Sequence, residues 1–210
     1  MKENLSKRES NKIQKRETFI RVAEELFVEK GFENTSIEEI VRRAELTKRT
    51  LYQYFQSKED LYYAVALKGA KLLYEAAMEA VQHGENTREK IRLSNLAHLN
   101  FYREYQNLFR ILNYTPPGKE NSETSPYYKQ VQMLDAQRMM YLASLIDNGS
   151  SDGSINSRLD MKKAVLFGLF SAFGLLYTFA FTDKSIWKAL DLEEDDFLQF
   201  SFELFAEALK

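Results

Sequence analysis

Cysteine is absent from this chain, and proline (3), glycine (8), histidine (2) and tryptophan (1) are scarce among its 210 residues. Without thiols it can form no disulfide, no cysteine nucleophile and no Cys-based zinc site. Its two histidines, His83 and His98, come with no Gly-rich phosphate loop and no metal-ligand spacing. Neither a catalytic centre nor a metal or cofactor is therefore expected. Acidic pairs such as Asp195-Asp196 fall at the start of a helical pattern, where they favour the positive end of the dipole. No stretch alternates with the two-residue period of a strand, and no internal repeat occurs. The N-terminus, MKENLSKRESNKIQKRE, lacks the apolar centre of a secretory signal. These absences predict an all-α fold and a cytoplasmic location.

Net charge is −2, which by itself argues against a polyanionic partner, but the charge is unevenly spread. Residues 2–21 hold seven Lys/Arg against three Glu, and residues 41–58 hold five against one. From residue 64 onward 16 Lys/Arg face 19 Asp/Glu. A basic N-terminal portion on an acidic body fits a local phosphate-binding face, and it also fits an ordinary solvated charge mixture.

The stretch TSIEEIVRRAELTKRTLYQYFQSKED (35–60) separates these readings. Thr35 or Ser36 can cap a helix whose apolar face is Ile37, Ile40, Val41 and Ala44. Thr47 can cap a second helix running to about Phe55, with Leu51 and Phe55 pointing inward at i,i+4. Lys48, Arg49, Thr50, Tyr52, Gln53 and Tyr54 are then left outside. Ser57 with Asp60 opens a third helix as a capping box. Closely spaced helix starts with cationic and aromatic side chains on the middle helix form a helix-turn-helix pattern.

Around that stretch the chain reads as helices. Residues 1–10 are polar and read as disordered. A helix is expected from Asn11 to Lys30, with Phe19, Ala23, Leu26 and Phe27 inward and Gly31 as its left-handed stop. A long helix runs from Ser57 to about Gln82, followed by one from Thr87 to Tyr114 that bends near 104–107. Pro116, Pro117 and Gly118 open a polar loop to Ser125. Pro126 suits the first turn of a helix to about residue 147. The run NGSSDGSINS (148–157) is a loop, and the last two helices span about 159–182 and 193–209.

The segment LFVEKGFENTS (26–36) followed by IEEIVRRAELTKRTLYQYFQSKEDLYYAV (37–65) resembles the DNA-binding domain of the tetracycline-repressor (TetR) family of bacterial transcriptional regulators. The resemblance covers roughly residues 11–65, and the remainder is similar only in its helical layout. It implies a helix-turn-helix reader at about 1–56 and an effector-binding and dimerisation body at 57–210. It implies that Lys48 and Arg49 reach base edges, Arg49 bidentately to guanine, with Gln53 a candidate for adenine or for a water-mediated contact. Thr47, Tyr52, Tyr54 and Lys58 would contact phosphates, and specificity would rest chiefly on Lys48, Arg49, Thr50 and Gln53. The helix starts at Thr35, Ser36 and Ser57 would add backbone N–H donors. The basic arm (Lys7, Arg8, Lys12, Lys15, Arg16) would add phosphate or minor-groove contacts. One departure stands out: where the family commonly has Gly in the turn, this chain has Glu45. A non-Gly residue in a left-handed turn costs roughly 1 kcal/mol.

The body contains AVLFGLFSAFGLLYTFAF (164–181), 18 residues without a charge. That is close to a membrane span in length. The expectation here is instead a buried helix, because Gly168, Ser171, Gly174 and Thr178 interrupt the run and another amphipathic helix follows. The last helix is apolar on two neighbouring rows, Phe197/Ser201/Leu204/Ala208 and Leu198/Phe202/Phe205/Leu209. A homodimer through the last two helices follows, and with it a palindromic double-stranded DNA operator. By the resemblance, a small apolar effector would bind among Phe101, Tyr102, Tyr105, Met133, Met140, Phe167 and Phe170. Asn95, His98 and Arg103 would be its polar neighbours. The expected function is that of a dimeric repressor released by a ligand, against the alternative of a helical interaction module without specific DNA binding.

Overall fold

Ser6 starts the first helix. Its Oγ accepts the Glu9 amide at 3.3 Å while its own amide donates to the Glu9 carboxylate at 3.0 Å, a reciprocal capping box. Helix α1 therefore runs Lys7–Lys30, one turn longer than expected, and residues 7–10 are helical rather than disordered. The computed structural model describes residues 6–117, 124–149, 152–156, 158–182 and 185–209. The expected disorder of residues 1–5, most of the loop after Pro117 (118–123) and positions 150, 151 and 157 lie outside the described residues.

The remaining helices are α2 (Ile37–Arg43), α3 (Lys48–Leu51), α4 (Lys58–Gln82), α5 (Thr87–Glu104), α6 (Gln106–Leu112), α7 (Pro126–Gly149), α8 (Met161–Phe181), α9 (Ser185–Ala189) and α10 (Glu194–Ala208). No strand occurs among the described residues, so the fold is all-α. The expected bend near 104–107 is a break at Tyr105, where φ −125° and ψ 46° leave the helical region. Helix α9 was not anticipated. Trp187 within it stacks on Phe179 at 4.1 Å, and Asp191 in the left-handed region (φ 53°) closes it.

The chain forms two compact units, Met1–Lys68 with Tyr114–Gln132, and Gly69–Asn113 with Met133–Lys210. In the first, Phe19, Ala23 and Leu26 of α1 are fully buried with Ile40, Leu51, Phe55, Leu61 and Val65. Phe19 meets Phe55 edge-on at 6.4 Å, and Phe27 meets Tyr62 at 5.2 Å. Each such side chain contributes about 1.5–3 kcal/mol by burial. The start of α7 belongs to the same unit, with Tyr127 at 5.8 Å from Phe55 and Tyr128 at 4.9 Å from Tyr63.

The second unit has its own core of Ile91, Leu142, Leu145, Ile155, Val165 and Leu209. Tyr102 donates to the Glu194 carboxylate at 2.7 Å, and Arg110 Nε donates to the Ala180 carbonyl at 2.7 Å. Helix α8 is long and apolar enough to cross a membrane, with a mean hydropathy of 2.0. Only Val165, Gly168, Leu176, Phe179 and Ala180 on it are buried. Its other face is open in the single chain.

Candidate nucleic-acid interface

The turn between α2 and α3 is built by hydrogen bonds that place Glu45 in the left-handed region. The Leu46 amide donates to Val41 O at 3.0 Å and the Glu45 amide to Arg42 O at 3.2 Å, the paired pattern of a Schellman stop. Glu45 accordingly has φ 55°, the strained conformation expected of it. Each helix start is capped as the hydroxyls suggested. Ser36 Oγ accepts from Glu39 N at 3.2 Å, Thr47 Oγ1 from Thr50 N at 3.1 Å and Ser57 Oγ from Asp60 N at 3.2 Å.

Helix α3 is short, but bonds from Tyr52 N to Lys48 O, Tyr54 N to Leu51 O and Phe55 N to Leu51 O carry the helical path to Phe55. Leu51 and Phe55 are buried beneath it. Thr47, Lys48, Arg49, Tyr52 and Gln53 are exposed above, with Thr50 and Tyr54 half-buried. Tyr52 is the largest of these outward groups at 54% exposure. Lys48 pairs with Glu38 of α2. Each partner's hydrogen bond stabilises the other's charge, holding the Glu38 carboxyl below and the Lys48 ammonium above their ordinary values. Arg49 forms no ion pair among the described residues.

Two of the expected phosphate partners are used internally. Lys58 Nζ donates to Phe32 O and Thr35 O, both at 2.9 Å, and sits 4.1 Å over the Phe32 ring. Its charge closes the carbonyl ends of the α1–α2 connection. Thr35 is 1% exposed, and its hydroxyl donates to Gly31 O at 2.8 Å. The capping group of α2 is Ser36. Arg16 is likewise withdrawn from the arm. Its Nε donates to Tyr127 Oη at 3.1 Å and its guanidinium lies over that ring.

A groove that sequence reasoning did not delineate lies beside the reader. It is about 510 Å³, lined by Lys7, Arg8, Asn11, Lys12, Lys15, Gln53 and Tyr54.

In the body, a cleft of about 470 Å³ runs between α4 and α5. Leu72, Ala76, Leu93, Leu96, Phe101 and Tyr105 supply much of its lining. Of the seven expected ligand residues, only Phe101 and Tyr105 reach it. Tyr102 is buried on Glu194, and Met133 and Met140 lie exposed on α7. Phe167 (68%) and Phe170 (69%) face outward from α8. The seven do not converge, because a helix that is apolar all round gives no sign of which side faces inward.

Two of the three expected polar neighbours are engaged elsewhere. Arg103 pairs with Asp195. His98 Nδ1 donates to Ser94 O at 2.8 Å, leaving Nε2 to accept from Arg138 at 3.2 Å. Burial, then the Arg138 charge, push His98 down to about 4. No group of three or more His, Asp or Glu able to hold a metal occurs among the described residues.

With that geometry in place, likeness to known proteins is informative. The family profile for bacterial regulatory proteins of the tetR family matches residues 19–65, the helix-turn-helix and its flanks. The chain is 23% identical over 145 residues to the uncharacterized HTH-type transcriptional regulator YhgD of Bacillus subtilis, spanning 68% of this chain and 73% of YhgD. It is 32% identical over 124 residues to the HTH-type transcriptional regulator QacR of Staphylococcus aureus, spanning 57% of this chain and 65% of QacR. A bacterial tetR-family regulatory protein from Rhodococcus RHA1 has the same fold, at TM-score 0.69 and 17% identity over 93% of this chain and 96% of its own. Residues 19–65 thus match the tetR-family model of bacterial regulatory proteins, and the all-α body shares the fold of a solved member of that family.

Proposed function

We propose that this chain is a cytoplasmic, dimeric, DNA-binding transcriptional regulator that recognises a palindromic operator with α3. The observation that carries the reading is the outward set Thr47, Lys48, Arg49, Tyr52 and Gln53 on a helix pinned by buried Leu51 and Phe55. Arg49, free of ion pairs among the described residues, suits bidentate contact with guanine, and Gln53 suits an adenine. Tyr52, Tyr54 and Thr47 suit phosphates, which set register without reading sequence. The functional division falls near residue 57, where the reader ends and α4 begins.

Dimerisation through α8 and α10 is supported by their open apolar faces. Leu166, Phe167, Phe170, Phe200 and Leu204 are all more than 40% exposed, a row that water would not cover without cost. For the body we propose a small, largely apolar effector in the α4–α5 cleft against Phe101 and Tyr105, whose binding releases a repressed operator. Helix α4 is continuous from Lys58 to Gln82. A ligand that moved its cleft-lining half would therefore displace the half that begins under the reader, coupling effector and DNA reciprocally.

Operator binding by Lys48→Ala/Arg49→Ala and by Tyr52→Ala, measured by gel shift at fixed salt with folding checked by circular dichroism, tests the reading. Loss of specific binding by folded variants supports it. Unchanged affinity overturns it in favour of a helical interaction module.

A further inference from the structure

Helix α2 carries two carboxylates in its first turn, and the fold sends them in different directions. Glu39 turns back to the end of α1 and takes Lys30. Glu38 reaches across to α3 and takes the ammonium of Lys48. The first pair ties two scaffold helices together. The second engages one of the two cations that α3 presents, while the other, Arg49, forms no ion pair among the described residues. Stability does not account for the second pair. Its side chains are 64% (Glu38) and 50% (Lys48) exposed, where an ion pair contributes little against solvent and salt. Holding two long side chains in one geometry also costs rotamer freedom.

The pair has a larger consequence for DNA. A lysine ammonium is a point charge on a flexible stem, and left free it meets the phosphates of any sequence. It has three donors, so one given to Glu38 leaves two for acceptors on a base edge. Guanine presents two such acceptors, N7 and O6, in the major groove. Moving Lys48 from Glu38 to the backbone would also leave a bare carboxylate facing a polyanion. The same surface holds an internal comparison. Glu45, in the turn between α2 and α3, is exposed as well, but it forms no ion pair among the described residues. One carboxylate beside the reader holds a reading cation, and the other holds none.

We propose that Glu38 is a positioning residue that sets specificity, holding Lys48 toward base edges and off the phosphate backbone. The assignment rests on the reading of α3 as a DNA reader. It adds that a residue outside α3, and of the same charge sign as DNA, makes one of its cations a reader of sequence. Without Glu38, Lys48 becomes a sequence-independent phosphate contact, which raises affinity for every duplex and lowers discrimination.

The test follows the wild-type chain, Glu38→Gln, Lys48→Ala and the double variant across a salt series. The duplexes are an operator selected from a random pool and an unrelated sequence. Glu45→Gln, alone and with Lys48→Ala, is the control, since it removes the same charge from beside the reader without releasing a cation. The pair is exposed and adds little to stability, so the variants should fold, which circular dichroism checks. Glu38→Gln should bind the unrelated duplex about 3- to 10-fold more tightly, with a log-affinity against log-salt slope steeper by about 1, the share of one phosphate. The ratio of operator to unrelated affinity should fall, and both changes should vanish in the Lys48→Ala background. Glu45→Gln should tighten both duplexes alike, with or without Lys48, and leave the ratio unchanged. An operator-specific wild type whose ratio and slope survive Glu38→Gln, or whose changes persist without Lys48, would overturn the role of Glu38 and leave the reader standing. A random pool that yields no preferred duplex would overturn the reader, and Glu38 with it.

Discussion

Ser125 Oγ donates a hydrogen bond to the carboxylate of Asp60, a contact between two buried groups 65 residues apart in sequence. Asp60 also accepts from the Gln56 amide at 3.0 Å, and Ser125 accepts from the Tyr128 amide at 3.3 Å. One pair of side chains thus ties the first turn of α4 to the first turn of α7. Leaving the Ser125 hydroxyl and Gln56 amide without their acceptor should make Asp60→Ala cost about 2 kcal/mol. At this chain length that lowers Tm by roughly 4–8 °C. Ser125→Ala should cost less, and the double variant less than the sum of the two, with a coupling of about 0.5–3 kcal/mol. Additive losses in thermal melts would show that the bond does not tie the two helices.

Glu45 separates a backbone effect from a charge effect. Its left-handed conformation (φ 55°) costs a non-Gly residue about 1–2 kcal/mol, and glycine's extra chain entropy takes back about 0.5–1. Glu45→Gly should therefore be more stable by about 0–1.5 kcal/mol, whereas Glu45→Ala should be nearly neutral. Both should tighten non-specific DNA binding, since each removes an exposed carboxylate beside the reader. Chemical denaturation and binding to an unrelated duplex check the two effects separately.

Gly168 sits where no larger residue fits. A Cβ there would lie 1.8 Å from Phe205 Cζ, so Gly168→Ala must push α8 and α10 apart or turn Phe205 off its rotamer. The expected loss is about 1–3 kcal/mol. Because those two helices carry the proposed partner surface, light scattering should also record a weaker dimer. A melt and a mass matching the wild type would contradict this packing.

His98 should make the fold acid-sensitive. Its folded pKa is pushed from 6.5 down to about 4, so between those values the unfolded chain binds a proton that the folded chain does not. Stability is then fully present above about pH 6.5 and falls as pH drops toward 4, by at most about 1.4 kcal/mol per pH unit from this group. His98→Gln, which keeps an acceptor for Arg138, should flatten that part of the stability curve. Parallel wild-type and variant curves would remove His98 from the acid response.

The reader was legible because local hydrogen bonding determines it. Ser36, Thr47 and Ser57 cap the amides that their spacing implies, and Glu45 takes the turn conformation its position demands. What stayed hidden depends on tertiary choice. Lys58 looks like an outward cation at a helix start, yet its flexible stem carries the ammonium to Phe32 O and Thr35 O. Thr35 and Ser36 are equally good caps in sequence, and only the fold buries one and exposes the other. In α8 the apolar residues surround the helix, so periodicity could not tell inward Leu176 from outward Phe170. That ambiguity scattered the expected ligand set.

Selection of bound duplexes from a random pool, read by sequencing, tests the DNA-reading claim most directly. The expected result is enrichment of an inverted repeat whose half-sites lie about one helical turn or a multiple apart, lost for Lys48→Ala/Arg49→Ala. A pool that stays unenriched, or an enrichment that survives the loss of both side chains, would contradict α3 as the reader.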